Sequence, residues 1–184
     1  MSTPQDHLAG KQILAVDDEN DILETIEDIL DTASVDCARD YETALAKIES
    51  QAYDLAILDI MGVTGLELLD RTVARGIPTV MLTAHAINPE TLMASICKGA
   101  IAYLPKETLA ELDELLNDLL AAQAAGTPPW KLLFDRLGDF FDDRFGPDWR
   151  AKDEGFWTEF SRTWAVGRGI RERLAHDPRL AGKF

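Results

Sequence analysis

The sequence predicts an α/β fold: a doubly wound, five-stranded parallel sheet followed by a small α-helical hairpin. Three observations predict it. Short apolar runs of four to six residues alternate five times with stretches of helical periodicity, the pattern of a parallel sheet covered on both faces. Polar groups recur where those runs end, at Asp17-Asp18, Asp59, Thr83 and Lys106, the edge where open parallel sheets gather their chemistry. Finally, all four Trp and all seven Phe lie beyond Thr127, so a second unit of different character follows the first.

The elements follow in order. Residues 1–10 are expected to be a disordered N-terminal segment, and Met1 to His7 is too polar for a signal peptide. The first strand is Gln12–Val16. Asn20 is placed to cap a helix whose apolar positions Ile22, Ile26, Ile29 and Leu30 keep the helical period. Residues 35–38 make a short strand and 41–48 a helix. The apolar run Leu55–Leu58, bounded by Asp54 and a Gly-containing turn, is too short for a helix and reads as the central strand, buried on both faces. A helix over Gly65–Ala74 and a strand over residues 77–82 follow. Asn88, Pro89 and Glu90 supply a cap, a first-turn proline and an acidic first turn to a helix that Gly99 stops. Residues 101–104 form the last strand, and Leu109, Leu112, Leu115, Leu116 and Leu119 mark the last helix of the first unit. The domain organisation is thus 11–122, a linker over 123–129, and an aromatic-rich helical extension over 130–184.

Charge follows the same division. The chain of 184 residues has a net charge of −15; residues 1–126 hold 7 Lys/Arg against 23 Asp/Glu, while residues 127–184 hold 11 against 10. No apolar run reaches membrane-spanning length. Cys37 and Cys97 lack metal-ligand spacing and read as reduced thiols, and His7, His85 and His176 are too scattered for a zinc site. A cytoplasmic location is expected.

Asp17, Asp18 and Asp59 brought to one crevice would repel one another at neutral pH. A hard divalent cation such as Mg²⁺ relieves that repulsion with oxygen ligands. Lys106 offers a compact positive charge and Thr83 a hydroxyl, both suited to a phosphoryl group beside the metal. A carboxylate aimed in line can become an aspartyl-phosphate. Capping and surface charge is the alternative for each group alone, and four agreeing strand ends argue against it. There is no Gly-rich phosphate loop.

The motifs Ile-Leu-Ala-Val-Asp-Asp-Glu (13–19), Asp-Leu-Ala-Ile-Leu-Asp (54–59), Met-Leu-Thr-Ala (81–84) and Ala-Tyr-Leu-Pro-Lys (102–106) resemble, in this spacing, the receiver domain of bacterial two-component response regulators. The resemblance covers about residues 11–122 and implies a flavodoxin-like (CheY-like) fold. It implies Asp59 as phosphoacceptor, served by a histidine kinase or histidine phosphotransfer protein. It also implies Mg²⁺ held by Asp18, Asp59 and the Met61 carbonyl, with Asp17 acting through water. Thr83 would bind the phosphoryl oxygen, Lys106 would pair with it, and Tyr103 would be the rotating switch aromatic. Tyr103 as an ordinary strand aromatic, and His85 as a plain loop residue or a group reaching the phosphoryl, stay open. Two departures stand out: the loop after Asp59 lacks the family's proline and is a residue or two short, and Pro105 precedes Lys106 where the commoner order is the reverse.

In the extension, Thr127 is placed as a cap with Pro128 and Pro129 in the first turn, and Trp130, Leu133, Phe134, Leu137 and Phe141 follow helical spacing. A second helix from about Asp153 carries Phe156, Trp157, Phe160 and Trp164, weakens at Gly167 and Gly169, continues over residues 170–174 and stops at Pro178. Its stripe must be buried on itself, on the receiver or on a partner. The two parts are expected to have separate cores, and the output to be a phosphorylation-dependent contact with a downstream protein. The alternative is a DNA-binding transcriptional regulator using a basic tail that includes Arg162, Arg168, Arg171 and Arg173. A tail of net charge +1 without a helix-turn-helix pattern makes DNA the weaker reading. An enzymatic output is not expected from 58 further residues, and homodimerisation is left open.

Overall fold

The computed structural model describes residues 5–166 together with 176 and 178. Five strands, β1 (Gln12–Val16), β2 (Ser34–Ala38), β3 (Leu55–Leu58), β4 (Thr79–Thr83) and β5 (Ala102–Pro105), form one parallel sheet in the order β2-β1-β3-β4-β5. Between and after them run α1 (Asn20–Ile29), α2 (Tyr41–Ser50), α3 (Gly65–Ala74), α4 (Pro89–Lys98) and α5 (Leu112–Ala124). This is the flavodoxin-like arrangement expected. Strand order turns about β1: the chain goes from β1 to one neighbour, β2, and then crosses to the other, β3. The crevice at such a turning point, outside the carboxyl ends of the strands, is where sheets of this kind bind ligands. Here those ends carry Asp17 and Asp59.

β3, β4 and β5 are buried at every position, which accounts for their unbroken apolar character. Asn88 caps α4 by accepting from the Thr91 amide at 2.8 Å, and Gly99 ends it at φ 101°, a left-handed conformation that glycine adopts without penalty. Asn20 does not cap α1: it is already helical, and Glu19 holds the cap position without a side-chain bond.

Three boundaries differ from the sequence reading. The segment expected to be disordered is ordered from residue 5 to 10: Leu8 is buried in the core, and the His7 amide donates to Asn117 Oδ1 on α5 at 2.6 Å. Asn117 Nδ2 also donates to the Gln5 carbonyl at 3.3 Å, and the Gly10 amide donates to the Thr32 carbonyl at 2.9 Å, so the buried Leu8 and these bonds tie the segment down. Residues 1–4 lie outside the described residues. The linker expected over 123–129 contracts to residues 125–128, because Gln123 and Ala124 continue α5 and Pro129 opens the next helix. Pro128, not Thr127, occupies the cap position there.

The extension forms α6 (Pro129–Phe145) and α7 (Glu154–Thr163), joined by a 3₁₀ turn over Trp149–Asp153, as the hairpin reading expected. Residues 167–175, with the expected continuation of the second helix, lie outside the described residues. The expectation of separate cores fails. Trp130, Leu133, Phe134, Phe141, Trp149, Phe156, Trp157 and Phe160 belong to the same buried cluster as the sheet residues. The reason is geometric: α6 packs on α5 and β5, so the aromatic stripe finds its cover on the receiver.

Candidate functional site

Asp17 and Asp59 end β1 and β3, side by side, and the Asp59 amide donates to the Val16 carbonyl at 2.9 Å. Both carboxylates are almost fully buried, at 2% and 5% exposure. Lys106, at the end of β5, reaches across two strands: its Nζ lies 2.8 Å from Asp17 Oδ2, 2.9 Å from Glu19 Oε1 and 3.4 Å from Asp59 Oδ2. The order Pro105-Lys106 does not prevent this, since Pro105 still pairs in register with Thr83 as the last residue of β5.

Burial and the neighbouring Asp17 charge push the Asp59 carboxyl up to about 6, against the pull of Lys106. Burial alone would favour the neutral amine of Lys106, but its bonds to Asp17 and Glu19 and the charge of Asp59 outweigh this and raise its pKa. Lys106 in turn holds the exposed Glu19 carboxyl below its ordinary range. The crevice therefore balances three carboxylates on one ammonium group. Thr83, at the end of β4, is fully buried, and its hydroxyl has no hydrogen-bond partner among the described residues. A buried hydroxyl left unpaired costs free energy, about 1–3 kcal/mol, and an incoming acceptor oxygen removes that cost.

The loop after Asp59 is tightly constrained. A Cβ at Gly65 would come within 1.8 Å of the Asp59 carbonyl oxygen, so glycine is required for α3 to start so soon after β3. Thr64 takes a left-handed φ of 54°, and the Gly62 backbone lies directly against the Asp18 carboxylate. Asp18 itself is exposed.

Of the expected metal ligands, the structure gathers Asp17 and Asp18 and adds Glu19; one oxygen from each lies within 4.8 Å of the others. Asp59 stands outside this group, turned to Lys106, and Met61 is 54% exposed. Glu19 was missed, although three consecutive acids at a strand end were its signal. The donor chemistry fits Mg²⁺: carboxylate oxygens only, at the edge of a buried anionic crevice. His85 is exposed, and its charge reaches Glu19. Tyr103 is fully buried; its hydroxyl donates to the Ala86 carbonyl at 2.9 Å and shares a 2.9 Å bond with the Thr91 hydroxyl.

Residues 13–119 match the family model of the response regulator receiver domain. The chain belongs to that family. Curated relatives include the transcriptional regulatory protein TctD of Salmonella typhimurium, 34% identical over 120 residues, covering 61% of this chain and 53% of the relative. The phosphate regulon transcriptional regulatory protein PhoB of Pseudomonas aeruginosa is 34% identical over 123 residues, covering 60% of this chain and 53% of the relative. This chain thus spans about half the length of the curated relatives it matches. Among solved structures, a CheY-like receiver domain protein from Methanospirillum hungatei superposes with a TM-score of 0.58 at 32% identity, over 64% of this chain and 99% of that one. NtrX of Brucella abortus gives 0.53 at 30% identity, over 63% and 28%. Receiver domains are signalling modules that interact with histidine kinases and bind Mg²⁺ at an acidic pocket. Phosphorylation on aspartate is general to the family. The similarity ends near α5, and α6 and α7 lie beyond it. No described helix is long and apolar enough to cross a membrane.

Proposed function

We propose that the chain is a cytoplasmic response regulator of a two-component phosphorelay. It takes a phosphoryl group on Asp59 from a histidine kinase or histidine phosphotransfer protein and signals by phosphorylation-dependent contact with a downstream protein. One observation carries the reading: a buried strand-end carboxylate faces Lys106 on one side and stands near an unpartnered, buried hydroxyl, Thr83, on the next strand end.

One Asp59 oxygen attacks the phosphorus of the phosphohistidine. An O–P bond forms, the P–N bond breaks, and its electron pair returns to the imidazole nitrogen. Lys106 leaves the carboxylate to pair with the phosphoryl oxygens, and the Thr83 hydroxyl donates to one of them. Asp17, Asp18, Asp59 and the Met61 carbonyl would hold Mg²⁺, with Glu19 within reach, and a bound ion would offset the charge of the phosphoryl oxygens. Tyr103 is the candidate switch residue.

The extension favours protein contact over DNA. Arg136 and Arg144 on α6 are engaged by Glu114, Asp118 and Glu107 of the receiver, so they are not presented to a phosphate backbone. Acetyl phosphate with Mg²⁺ should label the wild-type chain and leave Asp59→Asn unlabelled. Equal labelling of the two proteins overturns the assignment.

A further inference from the structure

One face of the receiver is already occupied by its own chain. Trp130, near the start of α6, donates its indole N–H to the Ala100 carbonyl just before β5, at 2.9 Å. Further along α6, the Phe141 ring lies 6.1 Å from the Tyr103 ring, centroid to centroid, and both residues are fully buried. Arg136 pairs with Glu114 at 2.9 Å and Asp118 at 3.1 Å on α5, and Arg144 with Glu107 at 3.1 Å. These contacts fasten α6 along its length across β5 and α5.

The contacts continue inward to the phosphorylation crevice. The Tyr103 hydroxyl is bonded to the Ala86 carbonyl and the Thr91 hydroxyl, and Thr91 also donates to Ala86. Ala86 lies three residues beyond Thr83, in the segment between β4 and α4. The contacts therefore run from Phe141 to Tyr103 to Ala86, and three residues of backbone join Ala86 to Thr83, at the end of the strand next to the one that Asp59 follows.

We propose that α6 is an intramolecular ligand that locks Tyr103 inward and thereby favours the phosphorylated state of Asp59. This rests on Asp59 being the phosphoacceptor. Two facts give the sign of the coupling. Phe141 fills the space outside Tyr103, so the ring cannot swing outward while α6 is docked. In this same arrangement, with Tyr103 inward and bonded to Ala86, the Thr83 hydroxyl is buried and has no partner among the described residues. A phosphoryl oxygen on Asp59 supplies the missing acceptor, and it relieves that penalty in this arrangement. Docking and phosphorylation therefore stabilise one another, and the coupling is reciprocal.

The test uses the full chain, with beryllofluoride and Mg²⁺ as the phosphoryl mimic. Hydrogen exchange of the α6 amides should slow on addition in the wild type and stay unchanged in Asp59→Asn. By calorimetry, Phe141→Leu should bind beryllofluoride on the order of tenfold more weakly, within the usual range of such couplings. Tyr103→Phe keeps the ring beneath Phe141 but drops the bonds to Ala86 and Thr91. In that variant α6 should stay docked, reported by the four tryptophans that all lie in the extension, yet its exchange should no longer respond. The wild-type and Tyr103→Phe measurements decide the matter even if Phe141→Leu does not fold. Faster or unchanged exchange of α6 on addition, or equal affinity in Phe141→Leu, overturns the coupling. Mass spectrometry after acetyl phosphate separates the two failures: a phosphoryl adduct on Asp59 with an indifferent α6 sinks the coupling alone, whereas no adduct in the wild type sinks the phosphoacceptor reading and the coupling with it.

Discussion

Replacing Phe141 with alanine should destabilise receiver and extension together. The ring is fully buried among Tyr103 of β5 at 6.1 Å and Phe134, Phe140 and Phe145 of α6 at 5.6, 5.8 and 5.7 Å. Truncating a buried Phe costs about 3–5 kcal/mol, the value depending on how far the neighbours close the cavity. These neighbours are poorly placed to close it. Tyr103 is tied by two hydrogen bonds, and Phe134 is packed against Trp157 at 5.7 Å and Trp164 at 5.4 Å. A loss of about 4 kcal/mol is therefore expected, a large part of the roughly 5–15 kcal/mol that holds a domain folded. With a urea slope of about 2 kcal/mol/M, the midpoint should fall by about 2 M. Tryptophan emission reports the extension, because residues 1–126 contain no Trp, while far-UV circular dichroism reports both parts. In the wild type and in Phe141→Ala the two signals should trace one transition. A tryptophan transition that moves alone, with the remaining dichroism unfolding at the wild-type midpoint, would refute the shared core.

Two further expectations concern the crevice. In metal-free buffer, Asp59 has a folded-state pKa of about 6, above its ordinary 3.8, so its ionisation opposes folding. Stability from this group is complete below pH 4 and is lost as pH rises through 6, by on the order of 2–3 kcal/mol. Asp59→Asn should therefore raise the melting temperature at pH 7.5 and change it little at pH 4; equal gains at both values would show that the carboxylate charge is not the cause. Adding Mg²⁺ should raise the melting temperature of the wild type through preferential binding to the folded chain. Asp18→Asn should lose more of that response than Asp17→Asn, since Asp17 is taken up by Lys106 at 2.8 Å whereas Asp18 is exposed; the reverse order would mean that the tight loop at Gly62 has moved the ion.

Much of the receiver was legible because its information is local. A buried parallel strand must be apolar at every position, and its chemistry must stand at its end. A single pass along the chain therefore finds both Leu55–Leu58 and Asp59. The helix boundaries at Asn88 and Gly99 are equally local, each resting on one side chain or one φ angle. What the sequence hid depends on distances between separate elements. Glu19 enters the crevice through Lys106, 87 residues away in sequence. Gly65 reads as a simple turn residue until its approach to the Asp59 carbonyl is measured.

The cover of the aromatic stripe was the largest miss, and its signal lay in α4, not in the extension. A helix on the surface of a sheet normally keeps a polar face toward water. In α4 the run 91–97, Thr-Leu-Met-Ala-Ser-Ile-Cys, holds no charged residue over nearly two turns, and all seven residues are buried. A helix with no solvent face requires neighbours on every side, more than one sheet surface provides. In the same chain, α6 and α7 carry more aromatic surface than a two-helix hairpin can hide against itself. The two excesses are complementary: one part of the chain lacks a cover, and the other lacks a surface to cover. The structure joins Leu92, Met93 and Ile96 with Trp130, Phe141 and Phe160 in one buried cluster, and α6 packs on α5 and on β5, the strand that carries Lys106 into the acidic crevice.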